Sequence, residues 1–169
     1  MEIKVYTDGS SLGNPGQGGR GAIIMVDGKK KALSGGEPLT TNNRMELLAV
    51  IEVLKYFLIK NAPKDNIHFY VDSKYVKDGV ERLKGWVQRG RRLMNKKPVA
   101  NRDLREEMYV LLPSFTLQRH RVKGHAQDEI NNKVDKLARS AAEKQPIIAM
   151  PVKEKHVIEK VRGQMGLFG

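Results

Sequence analysis

The chain has 169 residues, 40% hydrophobic and 30% charged, with 31 Lys and Arg against 19 Asp and Glu and a pI near 9.9. That length suits one domain with an appendage, and a net charge of +12 favours polyanionic partners, nucleic acid before an acidic membrane surface. The absence of cysteine excludes disulfides, a thiolate zinc site and a cysteine nucleophile; no apolar run approaches the roughly 18 residues of a membrane span, and "MEIKVYTDGS" is no leader peptide, so the expected location is the cytoplasm, with no membrane partner.

Residues 2–8, "EIKVYTD", read as a first strand, and "SSLGNPGQGG" as turn chemistry. "AIIMVDGKKKALSGG" predicts a hairpin bent at Asp27-Gly28. "PLTTNN" leads into "RMELLAVIEVLKYFLIK", where Leu47, Val50, Leu54, Phe57 and Leu58 recur at helical spacing, and the helix must end before Pro63. "NIHFYVD" is a fourth strand and "SKYVKDGVERL" a short helix. "KGWVQRGRRLMNKKPVA" is basic and aperiodic, "NRDLREEMYVLL" helical until Pro113, and "FTLQRHRV" a half-buried strand. "DEINNKVDKLARSAAEK" is a last helix closed by Pro146; residues 146–169 form a tail with weak helical character around 153–162. Three strands in succession predict a meander, and a helical crossover then makes the fourth strand parallel to the first. The expected fold class is α/β, a mixed five-stranded sheet with helices packed on both faces.

Two acids, Asp8 and Asp72, then end neighbouring parallel strands at one edge of the sheet, where open α/β sheets place their ligands. Glu46 shares a helix face with Val50, Val53, Leu54 and Phe57, and Asp135 lies one step round from the stripe Val134, Leu137, Ala138 and Ala141. Clustered carboxylates raise one another's pKa and need a cation, and hard oxygen ligands select Mg²⁺ or Mn²⁺. Two such ions about 4 Å apart are a standard device for cleaving phosphodiesters. Each acid also has a plainer reading: Asp8-Gly9 suits an Asx turn, Asp72 a helix N-cap, Asn43-x-x-Glu46 a capping box, and Asp135 a solvated helix face. None of these explains four acids converging in a basic protein.

"YTDGSSLGNPG", "TTNNRMEL", "YVDSKYV" and "VKGHAQDEINNKVDKLA" resemble, in order, the four signature blocks of type 1 ribonuclease H, and "KGWVQRGRRLMNKKPVANRDL" resembles the basic handle of its bacterial branch. The similarity covers roughly residues 1–144, with a catalytic domain expected over 1–145 and a handle at about 82–100. The resemblance implies a ribonuclease H-like fold and an endonuclease that hydrolyses the RNA strand of RNA–DNA hybrids with two Mg²⁺ ions (Mn²⁺ substituting), leaving 5′-phosphate and 3′-hydroxyl ends. By position it makes Asp8, Glu46, Asp72 and Asp135 the metal-binding catalytic acids, and His125 a catalytic residue assisting proton transfer or product release. It places Asn14, Asn42 and Asn43 along the hybrid, and Thr41 and Asn101 at a DNA-strand phosphate. The handle adds Trp86, Arg89, Lys96 and Lys97 as substrate contacts. RNA is told from DNA by its 2′-hydroxyl, and sequence preference is expected to be weak because base edges are avoided.

Two departures matter. The family loop "GHxG" has Gln127 in place of its second glycine, which stiffens the loop and bears on turnover. The handle keeps one tryptophan, Trp86, with Arg82, Arg91 and Arg105 near positions where others are expected, and it carries seven basic residues and no acid from Arg82 to Lys97. Binding is therefore expected to lean on charge and to be salt-dependent. The end of the chain, Gln164 with Leu167 and Phe168, resembles the short peptide that docks on a bacterial DNA sliding clamp; a tail folded back on the domain is the alternative. A monomer is expected. A junction resolvase or transposase core of the same fold, and a non-catalytic hybrid-binding protein, are the competing readings.

Overall fold

The structure is a computed structural model that describes residues 1–92, 99–122 and 125–148, with the backbone alone for 125–128. In chain order it contains β1 (Ile3–Ser11), β2 (Gly16–Val26), β3 (Lys29–Thr40), α1 (Asn42–Ile59), β4 (Ile67–Tyr70), α2 (Lys74–Glu81), α3 (Leu83–Gln88), α4 (Arg102–Leu111), a 3₁₀ turn (Leu112–Ser114), β5 (Leu117–His120) and α5 (His125–Glu143). The sheet order is β3-β2-β1-β4-β5, the first three strands antiparallel and the last two parallel to β1. This is the expected mixed α/β sheet.

Alternation along β1 divides the core. Ile3 and Val5 face one layer with Ala22, Ile24, Ile67 and Phe69, against Leu47, Val50, Ile51 and Leu54 of α1. Tyr6 faces the other layer with Ile23, Tyr70 and Val134 of α5. Helix α1 is buried on more than one side because α4 covers its outer face, so Met45, Ala49 and Val53 are buried as well, whereas Leu58 is exposed. The β2–β3 hairpin turns at Asp27 and Gly28, with φ of 49° and 75°, as the Asp-Gly pair predicts.

Three local expectations change. Strand β1 runs three residues beyond Asp8, still paired with β2 at Asp8↔Gly21, so Asp8 sits within a strand. The stretch read as a turn is strand at both ends, residues 10–11 in β1 and 16–19 in β2, with only 12–15 between them. The glycines of β2 are there for close approach: a Cβ on Gly21 would stand 2.9 Å from Leu137 Cβ and 3.0 Å from the Val134 carbonyl, and one on Gly19 would overlap the Ala138 carbonyl. Helix α5 therefore lies directly on β2. The stretch read as aperiodic begins with a helix, α3, whose Leu83 and Trp86 are buried. Among the described residues no helix is long and apolar enough to cross a membrane.

Candidate active site

The four acids are positioned from four elements. Parallel pairing of β1 with β4 ends at Tyr6↔Tyr70, whose rings stack at 4.7 Å and 10°. Asp8 and Asp72 each lie two residues further along, so they emerge at the same edge. Strand β4 has ended by then, so past Tyr6 only the β2 side of β1 remains hydrogen-bonded. Helix α1 approaches that opening end-on against Gly9. Its cap is Thr41, whose Oγ1 accepts the Arg44 N–H at 3.2 Å. Asn43 is not the cap, so Glu46 has no capping role. Likewise Ser73, not Asp72, caps α2, its Oγ accepting from Val76 N–H at 3.2 Å. Both acids are thus released from the plainer roles open to them in the sequence.

Glu46 is 8% exposed, Asp8 and Asp135 are half-buried and Asp72 is exposed. Gly9 N–H donates to Asp8 Oδ1 at 2.9 Å, and Glu46 shares that donor. Burial, then the charge of the facing Asp8, push the Glu46 carboxyl up to about 8, with Asp72 adding to the rise. Burial pushes Asp8 up to about 6, and Asp135 adds to it. The Arg139 guanidinium stands 3.8 Å from Asp135. The acids therefore form one interacting group in which negative charge lacks compensation. Among the described residues no three of them stand close enough, as they lie, to enclose one ion. The donor set is all oxygen and its deepest pair favours a shared proton, which fits hard divalent cations.

Around this group, Asn42 N–H donates to Asn14 Oδ1 at 3.2 Å, so the β1–β2 turn is tied to the start of α1, with Asn14, Asn42 and Asn43 exposed there. Arg44 reaches α4 through Asp103, at 2.9 and 2.6 Å, and Glu37 stands 3.7 Å away. Hydrogen bonds from Arg44 hold the Asp103 carboxyl below its usual range. This clasp brings the N-terminus of α1, with Thr41, alongside that of α4, with Asn101. Asn101 has φ 55° and donates to the Tyr75 hydroxyl at 3.1 Å. Arg44 and Gly9 were not singled out in the sequence; the run "NNRMEL" and the Asp8-Gly9 step were their only signals.

Trp86 is 2% exposed and packs with Leu83, Leu104 and Met108, and it also lines the cleft between α2, α3 and α4; Arg89, on the same segment, is exposed. His125 is the first residue of α5, and its side chain lies outside the described residues, as do Gln127, Lys96, Lys97 and the tail residues Gln164, Leu167 and Phe168.

A family model of RNase H matches residues 1–143. Among curated proteins, Ribonuclease H of Nitratidesulfovibrio vulgaris strain Miyazaki F is 46% identical over 142 residues, spanning 83% of this chain and 88% of the relative. Ribonuclease H of Hyphomonas neptunium is also 46% identical over 142 residues, spanning 83% and 92%. Among solved structures, LC9-RNase H1, a type 1 RNase H with the type 2 active-site motif, superposes with a TM-score of 0.71 at 31% identity, covering 85% of this chain and 73% of the other. LC11-RNase H1 in complex with an RNA/DNA hybrid superposes at 0.57 with 23% identity, over 85% and 98%, a likeness of fold.

Proposed function

The chain belongs to the RNase H family and is a bacterial-type ribonuclease H, and from that membership we propose that it hydrolyses the RNA strand of RNA–DNA hybrids endonucleolytically, leaving 5′-phosphate and 3′-hydroxyl ends. The observation that carries the reading is the pairing of Asp8 and Glu46 at one donor, Gly9 N–H, with Asp135 against Asp8 and Asp72 within the field of Glu46. These four carboxylates would hold divalent ions, two Mg²⁺ with Mn²⁺ as substitute. When bound, such ions supply neutralising charge, a water activated for in-line attack and stabilisation of the leaving oxygen.

The remaining work falls to the protein. Asp8 and Glu46, raised in pKa chiefly by burial, would hold the cation as carboxylates, their negative charge balancing that of the ion. Asn14, Asn42 and Asn43 offer amides at the RNA side, where a 2′-hydroxyl both donates and accepts. Thr41 and Asn101 face a phosphate of the DNA strand. His125 moves a proton or assists release of the product, and Lys96, Lys97 and Arg89 attract the hybrid by charge. The shared fold of LC11-RNase H1, which binds an RNA/DNA hybrid, supports the substrate class.

Cleavage of a labelled RNA–DNA hybrid with Mg²⁺, set beside single-stranded RNA, duplex RNA and junction DNA, tests the reading. Cutting of the hybrid alone, lost in Asp72→Asn, is expected; cutting of junction DNA, or a variant that still cuts, refutes it. The tail carries a separate proposal, docking of Gln164, Leu167 and Phe168 on a sliding clamp. Deleting residues 164–169 should abolish clamp capture and spare hybrid cleavage, and capture that survives the deletion refutes it.

A further inference from the structure

The parallel half of the sheet ends on a rung of rings. Tyr6, Tyr70 and His120 are register partners across β1, β4 and β5, and theirs is the last pair on both sides of β4. Tyr6 stacks on Tyr70 at 4.7 Å and 10°, and His120 stacks on Tyr70 from the β5 side at 4.9 Å and 23°. His68 stacks on His120 in turn, at 4.9 Å and 17°. Tyr70 is thus a buried ring held between two others, in the middle of a row of four. Stacked rings of this kind resist sliding because their contact area and their quadrupoles both favour one offset.

The outer end of the row is pinned by hydrogen bonds. Asn66 Nδ2 donates to the Met1 carbonyl at 3.0 Å, so it is Asn66 Oδ1 that meets His68 Nε2, also at 3.0 Å. An amide oxygen only accepts, so His68 Nε2 carries a proton, and in the neutral ring Nδ1 is left as the acceptor. His120 Nε2 lies 2.7 Å from that Nδ1. The Glu2 carboxylate, 3.8 Å from His68 Nε2, adds to the hold. His120 is therefore kept against Tyr70 by a chain of contacts that begins at the first residue.

Asp8 and Asp72 stand two residues past this rung. Phe69 and Val71 line one cavity on the α1 side of the sheet, so alternation puts Tyr70 and Asp72 on the α5 side, as it does Tyr6 and Asp8. Main-chain pairing of β1 with β4 has stopped at Tyr6↔Tyr70, so the packed rings beneath the two acids are the last cross-link between the strands that carry them. We infer that Tyr70 is a positioning residue for Asp72: clamped between Tyr6 and His120, its ring fixes how far β4 stands from β1 at the point where the two acids leave the sheet. The inference rests on the reading of these acids as metal ligands. Groups that orient metal ligands without touching the ion alter affinity or activity by about 10–100-fold. Because Tyr70 acts through packing, its ring matters and its hydroxyl does not.

The test is calorimetric binding of Mg²⁺ to the substrate-free protein, with hybrid cleavage beside it, for Tyr70→Phe, Tyr70→Leu, His120→Leu and Ile67→Val. Ile67 is buried on β4 in the layer that faces α1, so Ile67→Val loosens the same strand without touching the stack. Tyr70→Leu should weaken Mg²⁺ binding and lower kcat, each by about tenfold or more, with the KM for the hybrid little changed. Tyr70→Phe keeps the ring and should match the parent. His120→Leu removes the outer clamp and should move both readings in the same direction by less. The inference is overturned if Tyr70→Leu binds Mg²⁺ and turns over like the parent, or if Tyr70→Phe or Ile67→Val is as impaired as Tyr70→Leu. Should Tyr70→Leu not fold, His120→Leu leaves the buried phenol in place and decides instead, an unaltered Mg²⁺ affinity overturning the inference. A parent protein that neither binds Mg²⁺ nor cuts the hybrid would sink the metal-ligand reading first. Crystal structures of the metal-free parent and of the folded variant then settle the positioning alone: a changed separation of Asp8 from Asp72 supports it, and an unchanged one overturns it.

Discussion

A Cβ on Gly9 would overlap the main-chain nitrogen of Glu46 and come within 2.7 Å of the Met45 carbonyl carbon. The first turn of α1 therefore rests on bare backbone of β1, and this close approach sets how far Glu46 reaches toward Asp8. Gly9→Ala is expected to push α1 away and to cost about 1–3 kcal/mol in stability, as overpacking of a tight interface does. Because Glu46 moves with the helix, kcat should fall by about a hundredfold, the scale of a misplacement near 1 Å. Thermal unfolding and single-turnover cleavage would check the two together. A variant as stable and active as the parent would show that the helix can yield without cost.

The charge of the acid group predicts how the metal-free protein responds to pH. The Glu46 carboxyl ionises near 4.5 when unfolded and near 8 when folded, burial being the main cause. Between those values the folded state holds more protons than the unfolded one, so stability falls as pH rises. The decrease across the window is at most about 5 kcal/mol. Asp8, raised to about 6, acts in the same direction over its lower part. Glu46→Gln should remove most of the slope, raise Tm at pH 8 and abolish cleavage. Melting curves from pH 5 to 8 in a chelator would decide it; a parent protein whose Tm rises over that range contradicts the assignment.

Divalent cations should reverse the effect. A ligand that binds only the folded state at a hundred times its Kd adds about 2.7 kcal/mol. The gain in Tm on adding Mg²⁺ should be larger at pH 8 than at pH 5, where the carboxyls keep their protons. Binding at pH 7 should release protons, measured by calorimetry in two buffers of different ionisation enthalpy. Heats that do not depend on the buffer would mean that the acids are already ionised. Asp8→Asn should reduce both the gain in Tm and the proton release.

The four acids were legible in the sequence because each sits in a strong local pattern. "VYTD" and "FYVD" are apolar strands ending in an acid, and the order of elements makes them parallel neighbours. Glu46 is legible from the helix face it shares with Val50 and Phe57. What was not legible depends on competition between adjacent candidates. Thr41 and Asn43, or Ser73 and Asp72, could each cap a helix, and only packing decides which is left free for chemistry. Glycines at 18 and 19 look like turn residues, yet they serve close approach to Thr40 and α5, since a glycine required by a neighbour's backbone has the same letter as one required by φ. Trp86 in a basic stretch resembles a stacking residue, and its burial follows from the helix α3, too short to show a period. The pairing of Arg44 with Asp103 joins residues 59 positions apart and leaves no trace in a single sequence.

That pairing is itself a prediction about binding. Arg44 is anchored at Asp103 on α4 while its own N–H caps against Thr41, so it links the two residues assigned to the DNA-strand phosphate. Its partner is 60% exposed, so the pair should contribute only about 0.2–1 kcal/mol to stability. Its effect on substrate should be larger than that, because it sets the spacing of Thr41 from Asn101. Arg44→Gln and Asp103→Asn should each raise the KM for a hybrid severalfold with kcat little changed. The double variant should be no worse than either single one, since the same clasp is broken in all three. The cycle is read from steady-state kinetics at low salt. Additive increases in KM would mean that Arg44 touches the hybrid directly instead of holding the two helix ends in register.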